Sequence, residues 1–271
     1  MFPTAAAIAH DVAARRRRAV DVIQEALAAV ETRNPALNAI VTVNPRALDD
    51  ARALDARIAA GIPPGLLAGV PVAIKDVTPV AGLRTTFGSP IYADHVPDAD
   101  AEIVRRLRAA GAIVIGKSNV PEFAAGANTW NTVFGPTRNP HDERLTCGGS
   151  TGGGAVALAT GMAALADGTD LGGSLRIPAA FCGVVGLRPS PGLMPQHPID
   201  WVWDTISVAG PMGRTVEDVA RMLQVIAGAS PEAPLGQSVH GRDFIAAAAA
   251  TLPPGTRVAY CPDIAGIGVD P

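Results

Sequence analysis

Lysine is all but missing from this chain. Of its 22 basic residues only Lys75 and Lys117 are lysines, and the other 20 (22 − 2) are arginines. Arginine does not give up its proton, so base chemistry by a cationic side chain falls to those two positions. Cysteine is scarce as well: Cys147, Cys182 and Cys261 lack regular spacing, which excludes a disulfide scaffold and points to a reducing, cytoplasmic setting. Buried, inert thiols are the expectation for all three. A large excess of either charge sign is absent, and a net charge of −3 gives no electrostatic case for nucleic acid. The run Arg15 to Arg18 is the only basic cluster; it falls in an alanine-rich helical segment, where a solvated face is expected. No apolar run is long enough to cross a membrane, and the short stretch Ala5 to Ala9, ended by His10 and Asp11, is no secretory signal.

What the chain does have is glycine around serine. Residues 147–181 hold two serines in separate nests, Ser150 in Gly148-Gly149-Ser150-Thr151-Gly152 and Ser174 in Gly172-Gly173-Ser174. Glycine beside a serine removes Cβ atoms, so a substrate can approach the hydroxyl and successive N–H groups can converge on one anion. Each serine alone also fits the ordinary capping and turn role of Gly-Ser runs. Two nests in one short span favour chemistry.

A serine hydroxyl is a weak nucleophile until a base takes its proton. His10, His95, His141, His197 and His240 sit in no setting that suggests a relay and read as surface or loop residues. Lys75 closes the apolar segment Gly69 to Ile74, and Lys117 follows a similar segment, Ala112 to Ile115. A lysine desolvated at the end of a buried strand has a lowered pKa and becomes a base; one turned to solvent does not. Spacing alone does not choose between the two.

Other motif readings fail on context. The first nest fits the G-x-S-x-G elbow, but the charged run His141-Asp142-Glu143-Arg144 is not the buried strand that elbow needs. The glycine run lacks the Gly-Lys-Ser/Thr ending of a phosphate-binding loop, and no strand feeds it as a dinucleotide fingerprint requires.

The coarse pattern alternates. Apolar spacing predicts helices over Val12 to Val30 and Ala47 to Ala60, joined by a segment with Asn34-Pro35 and a strand at Ala39 to Val43. Strands follow at Val70 to Ile74, Ala112 to Ile115, Val184 to Leu187 and Arg257 to Tyr260; helices follow at Ala101 to Ala110, Gly153 to Thr160 and Thr215 to Ala227, the last capped by Thr215. Ala163 to Ala166 reads as an apolar lead into the second nest, and Gly228 to Gln237 as a connection. The 271 residues form one large domain, with an N-terminal helical part at 1–60 and a core at 61–271. The fold class is α/β, a mixed, largely parallel central sheet flanked by helices.

The residues Gly69-Val70-Pro71-Val72-Ala73-Ile74-Lys75-Asp76, Gly116-Lys117-Ser118-Asn119, Pro121-Glu122-Phe123 and Phe134-Gly135-Pro136-Thr137-Arg138-Asn139-Pro140, continued through both nests to Phe181-Cys182-Gly183 and Gly186-Leu187-Arg188-Pro189, resemble the amidase signature family. The resemblance implies a Ser-cisSer-Lys triad for hydrolysing a carboxamide, with Lys75 as base, Ser150 as the bridging serine after a cis peptide, and Ser174 as nucleophile. Lys117 becomes structural. It implies an oxyanion hole from the backbone N–H groups of Leu171, Gly172, Gly173 and Ser174, with Thr151 standing where many members carry serine and Arg188 where many carry lysine. The resemblance implies a small-molecule amide as substrate and requires no metal or organic cofactor. Asp170 and Arg176 flank the second nest and either pair to brace it or stand as separate surface charges. Trp201 and Trp203, within residues 190–210, read as packing residues more than as pocket walls.

Family members usually continue beyond the last predicted strand, whereas this chain ends at Val269-Asp270-Pro271. The resemblance therefore implies an N-terminal portion, incomplete at its C-terminus, with exposed apolar surface that favours association and admits a homo-oligomer. A noncatalytic fragment needing a partner, or an amidotransferase subunit, stands beside the hydrolase as an alternative.

Overall fold

A computed structural model describes residues 2–199, 201–261 and 266. Two helices open the chain, α1 (Ala5–Ala13) and α2 (Ala19–Leu37), where the sequence predicts one beginning at Val12. The break falls on the arginine run. Those residues offer nothing apolar to bury, Arg15 turns to φ 59°, and α2 starts where the Asp55 carboxylate accepts the N–H groups of Ala19 at 2.7 Å and Val20 at 3.1 Å. A carboxylate at this end complements the helix dipole. Pro35 lies inside α2, not in a linker; the exit is made by Asn34, whose Oδ1 accepts from Ala39 and Ile40, both at 2.8 Å.

The chain then runs through β1 (Ile40–Val43), α3 (Ala47–Ala59), β2 (Pro71–Lys75), α4 (Glu102–Ala109), β3 (Ile113–Ser118), the small hairpin β4 (Trp130–Asn131) and β5 (Gly135–Pro136), and α5 (Gly152–Ala159). It continues with β6 (Leu165–Asp170), α6 (Arg176–Cys182), β7 (Val185–Gly186), β8 (Val208–Gly213), α7 (Val216–Ile226) and α8 (Phe244–Ala249). Thr215 caps α7 as predicted, accepting from Asp218 N–H at 3.1 Å.

One six-stranded sheet carries the fold, in the order β1-β3-β2-β6-β8-β7. Parallel pairing is confined to its centre, β3-β2-β6, while β1 and β8 run antiparallel to their neighbours, so the sheet is mixed as expected. β2 and β3 are buried along their whole length, which is why they read as unbroken apolar runs, not as alternating ones. α5 is apolar all round and packs against the sheet between other elements, with seven residues buried from Gly152 to Leu158.

Several elements depart from the sequence reading: the β4–β5 hairpin and α8 are not predicted, and β6 is a strand where only an apolar lead is expected. β8, Val208–Gly213, is not predicted because Gly210, Pro211 and Gly213 interrupt it, yet it is wholly buried and pairs with β6 from Asp170 to Leu165. α6 is not predicted either. Arg257 to Tyr260 form no strand; Val258 and Tyr260 are 75% and 85% exposed, and no ladder partner is described for them. A strand is stable only when paired, and propensity supplies no partner. Val269 to Pro271 lie outside the described residues.

Candidate active site

The centre of the sheet brings its chemistry to one edge. β2, β3 and β6 are parallel, so their C-terminal ends deliver Lys75, Lys117 and the segment Asp167 to Asp170 to the same side. Ile74 pairs with Lys117, and neighbouring strand residues alternate faces, so the two lysines project to opposite faces of the sheet.

Lys75 is fully buried, and all three of its described side-chain partners are hydroxyls: Ser150 Oγ at 2.8 Å, Thr151 Oγ1 at 2.9 Å and Thr169 Oγ1 at 2.8 Å. These contacts saturate an ammonium. A neutral amine has two N–H donors and one lone pair, so in that form one hydroxyl must turn and donate to the nitrogen. Burial lowers the Lys75 pKa to about 7, against the opposing pull of Asp167 and Asp170. Lys117 is fully buried too, and burial lowers it to about 8 against Asp76, Asp167 and Asp100. Its partners are the Thr78 carbonyl and Thr85 Oγ1, the latter at 3.0 Å.

Ser150 follows a cis Gly149–Ser150 peptide and is buried beside Lys75. The glycines of this first nest serve packing, not substrate access. A Cβ on Gly149 would meet the backbone of Ala127 and Asn128 at 2.8 Å, and one on Gly152 would run into Thr129 and Cys147. Thr129, which the sequence reading missed, ties the nest together: its hydroxyl donates to Gly148 C=O at 2.9 Å and accepts from Gly152 N–H at 3.0 Å.

The second nest differs. Gly172 faces open space, and Gly173 sits at φ 116°, where a side chain is strained. Ser174 is half-buried and joins the first nest through its carbonyl, which accepts from Thr151 N–H at 3.2 Å; a bond between the Ser150 and Ser174 hydroxyls is not among the described hydrogen bonds. Asp170 organises this loop. Its carboxylate accepts from Gly173 N–H at 2.8 Å and Leu175 N–H at 3.2 Å, and from Arg176 in a bidentate pair at 2.9 and 3.0 Å. Asp170 and Arg176 therefore pair and brace the nest. Arg188 adds a second cation, bonding Asp170 C=O and lying 3.4 Å from Oδ1. Burial raises the Asp170 pKa, but the Arg176 bond and the two N–H groups outweigh it and hold the carboxyl at about 2. The Gly173 N–H is thus committed to Asp170, leaving Leu171, Gly172 and Ser174 of the four expected anion donors.

Thr169 and Asp167 are the further residues at this edge that sequence reading passed over. Only their position at a strand end next to Asp170 could have signalled them. Thr169 also lines a cavity of about 780 Å³, walled by Phe87, Phe123, Val96, Pro195 and His197 among others; Ser150 and Ser174 are not among its lining residues. Trp201 and Trp203 are not either, and at 80% and 70% exposed they are not packing residues. Cys147 and Cys182 are buried, and burial pushes their thiols up to about 11 and about 12, far from a reactive thiolate. Cys261 is exposed, contrary to expectation, because it lies beyond the last packed helix. Among the described residues no cluster of His, Cys, Asp and Glu could hold a metal ion, and no helix is long and apolar enough to cross a membrane.

The same arrangement has relatives. The chain is 42% identical over 261 residues to a protein of Gloeobacter violaceus named as a subunit of glutamyl-tRNA(Gln) amidotransferase, covering 96% of this chain and 53% of that one. A protein of the same name from Symbiobacterium thermophilum is 47% identical over 212 residues, 78% of this chain and 43% of that one. Among solved structures, a bacterial aryl acylamidase of the amidase signature family superposes with a TM-score of 0.86 at 33% identity, over 91% of this chain and 51% of that one. The peptide amidase of Stenotrophomonas maltophilia gives 0.81 at 35%, over 90% and 52%. The chain spans about half the length of these relatives. A family model described as Amidase matches residues 21–271, a stretch that takes in both lysines, both nests and every sheet strand, and so the chain belongs to the amidase family.

Proposed function

We propose that this polypeptide carries the acyl-transfer machinery of an amide hydrolase, with Ser174 as nucleophile, Ser150 as relay and Lys75 as base. The observation that supports it most is the Lys75 amine, fully buried, lowered to about 7 and ringed by hydroxyls. Neutral Lys75 takes the Ser150 proton, Ser150 takes that of Ser174, and Ser174 Oγ bonds to the amide carbon. The oxyanion is met by the N–H groups of Leu171, Gly172 and Ser174. Each such donor contributes about 3 kcal/mol where one has been removed elsewhere. The C–N bond then breaks, the relayed proton leaves with the amine, and water repeats the cycle on the acyl-enzyme. Thr151 steadies the lysine and, with Asp170 and Arg176, the loop. The substrate is a small carboxamide, and the setting cytoplasmic, in keeping with three cysteines outside any disulfide pattern.

A second reading, an amidotransferase component that hands the released ammonia to an acceptor, draws on the names of the relatives at 42% and 47% identity. Both readings share the acyl-enzyme. Intact-protein mass spectrometry after exposure to a small fluorophosphonate tests it: one adduct on the parent, lost in folded Ser174→Ala and Lys75→Ala, is expected. An inert, folded parent would put a noncatalytic fragment in front. Ammonia released from a primary amide without any acceptor would favour the hydrolase.

A further inference from the structure

Behind the hydroxyl ring lies a group that the proposed chemistry does not use. Asp167 is 1% exposed, on β6 one residue beyond the Ala73–Ala166 pair. Alternation places it on the Lys117 face of the sheet, yet its Oδ1 accepts the backbone N–H of Lys75 at 2.6 Å, while Oδ2 accepts the Thr78 hydroxyl at 2.7 Å. Both oxygens are therefore held by neutral donors, and the described ion pairs give Asp167 no arginine. Asp170, the other carboxylate acting on Lys75, is matched by Arg176 and Arg188. Burial raises the Asp167 pKa, and the bonds from Thr78 and the Lys75 N–H, together with the cations Lys117 and Lys75, pull it back toward the ionised form.

Charged groups reach this edge of the sheet from several elements. β2 supplies Asp76, whose Oδ2 is taken by the hydroxyl and N–H of Thr86; β3 supplies Lys117; β6 supplies Asp167 and Asp170; the second nest adds Arg176, and Arg188 follows β7. Four of these, Lys75, Lys117, Asp76 and Asp167, are buried with no arginine in a described ion pair. When Lys75 is neutral, Lys117 is the remaining cation acting on Asp167, whereas Asp76 also feels Arg84. Lys117 donates to a carbonyl and to the Thr85 hydroxyl, whose own proton goes to Leu83 C=O, so neither partner offers its lone pair a proton and it keeps its charge more readily than Lys75 does.

We propose that Asp167 is a positioning residue that couples the two buried amines: it pins the end of β2 through the Lys75 N–H and spreads one negative charge over Lys75 on one face of the sheet and Lys117 on the other. A carboxylate near a buried amine favours the charged amine. Asp167 thus holds Lys75 back from becoming a base too easily and keeps its proton exchange near neutrality. The inference rests on Lys75 being the base of the proposed reaction, but its central claim concerns the amine and is tested on the amine.

Having only two lysines makes that test direct. In protein labelled with 13C at the lysine ε carbon, two resonances report Lys75 and Lys117, assigned with Lys75→Ala, and each is titrated by NMR. Folded Asp167→Asn is expected to lower the Lys75 midpoint by about 0.5 to 1 unit and the Lys117 midpoint in the same direction. Thr78→Val, nearly isosteric, removes one donor from the carboxylate, favours its neutral form, and moves Lys75 the same way by less. Fluorophosphonate labelling against pH adds the reaction: its acid limb moves down with the Lys75 midpoint. A Lys75 midpoint that stays within about 0.2 unit of the parent's in whichever variant folds overturns the coupling, since loss of a merely structural contact would not move it. Failure of the reaction reading shows separately, as absence of labelling in the parent.

Discussion

Lys75 and Lys117 are two fully buried amines on neighbouring parallel strands, and the sequence around each is alike: an apolar run, then lysine at its end. Their partners differ in kind. Lys117 is bonded to a carbonyl, which can only accept, and to the Thr85 hydroxyl, whose proton goes to Leu83 C=O, so both partners take a proton from that amine. Lys75 is bonded to three hydroxyls, each able to donate or accept, so the same chemical group there can shed its proton and still be satisfied. Burial depresses both, but a base also needs neighbours that tolerate its neutral form. The same contrast separates the glycine nests: glycines of the first let chains pack, and Gly172 of the second leaves space open beside Ser174.

The contrast is most easily broken at the reacting groups. Ser174→Ala is expected to reduce amide hydrolysis or acylation by about 10⁴-fold or more, since it removes the nucleophile of the proposed reaction. Lys75→Arg, which preserves charge but not the capacity to lose a proton, should fall nearly as far, by about 10³-fold, at every pH tested. Retained activity in Lys75→Arg would assign the base elsewhere.

Lys117→Met should show the opposite balance. It leaves Asp76 and Asp167 without their nearest cation, and is expected to cost about 3 kcal/mol in stability by thermal or denaturant unfolding, while any folded fraction still acylates. A Lys117 variant that folds normally but loses acylation would erase the distinction between the two amines.

The pH dependence sharpens it further. With the Lys75 pKa lowered to about 7, the neutral base accumulates as pH rises through that value, so acylation climbs from acid to neutral pH and levels off above it. The stability sign follows the same shift. Folded Lys75 binds fewer protons than the unfolded chain between about 7 and 10.5, so this group makes the fold more stable as pH rises through that window and penalises it fully below. Replacing Trp201 by alanine, by contrast, should shift stability by less than about 0.5 kcal/mol, because its side chain is already in solvent.

Much of the fold was legible residue by residue. The helix at Thr215 announces itself through its cap and first-turn acids, and the buried strands ending at Lys75 and near Lys117 through their apolar runs. What failed depended on partners far along the chain. β8 contains two glycines and a proline and is a strand only because β6 lies beside it, whereas Arg257 to Tyr260 has strand-like composition and no described strand to pair with. Asp55 ends the arginine break by capping a helix that begins 36 residues earlier, a contact no local window contains. In the candidate site, the family resemblance alone chose Lys75 over Lys117, but both lysines stood out by their scarcity, and Ser150 and Ser174 by their glycine settings. Thr129, Thr169 and Asp167 did not, since a hydroxyl or carboxylate at a strand end has no local mark of what it will face.

The sequence alone determined the inventory: two candidate bases among 22 basic residues, two serines in glycine nests, an alternating α/β order and no membrane-length apolar run. Those are properties of composition and short-range periodicity, and they survive any arrangement of the elements. Only the tertiary structure decided which lysine meets hydroxyls, that Gly173 spends its N–H on Asp170, and that the Asp167 carboxylate takes the backbone N–H of Lys75. A pKa and a hydrogen-bond role belong to the surroundings of a group, and here those surroundings come from strands and loops that meet only when the sheet is assembled.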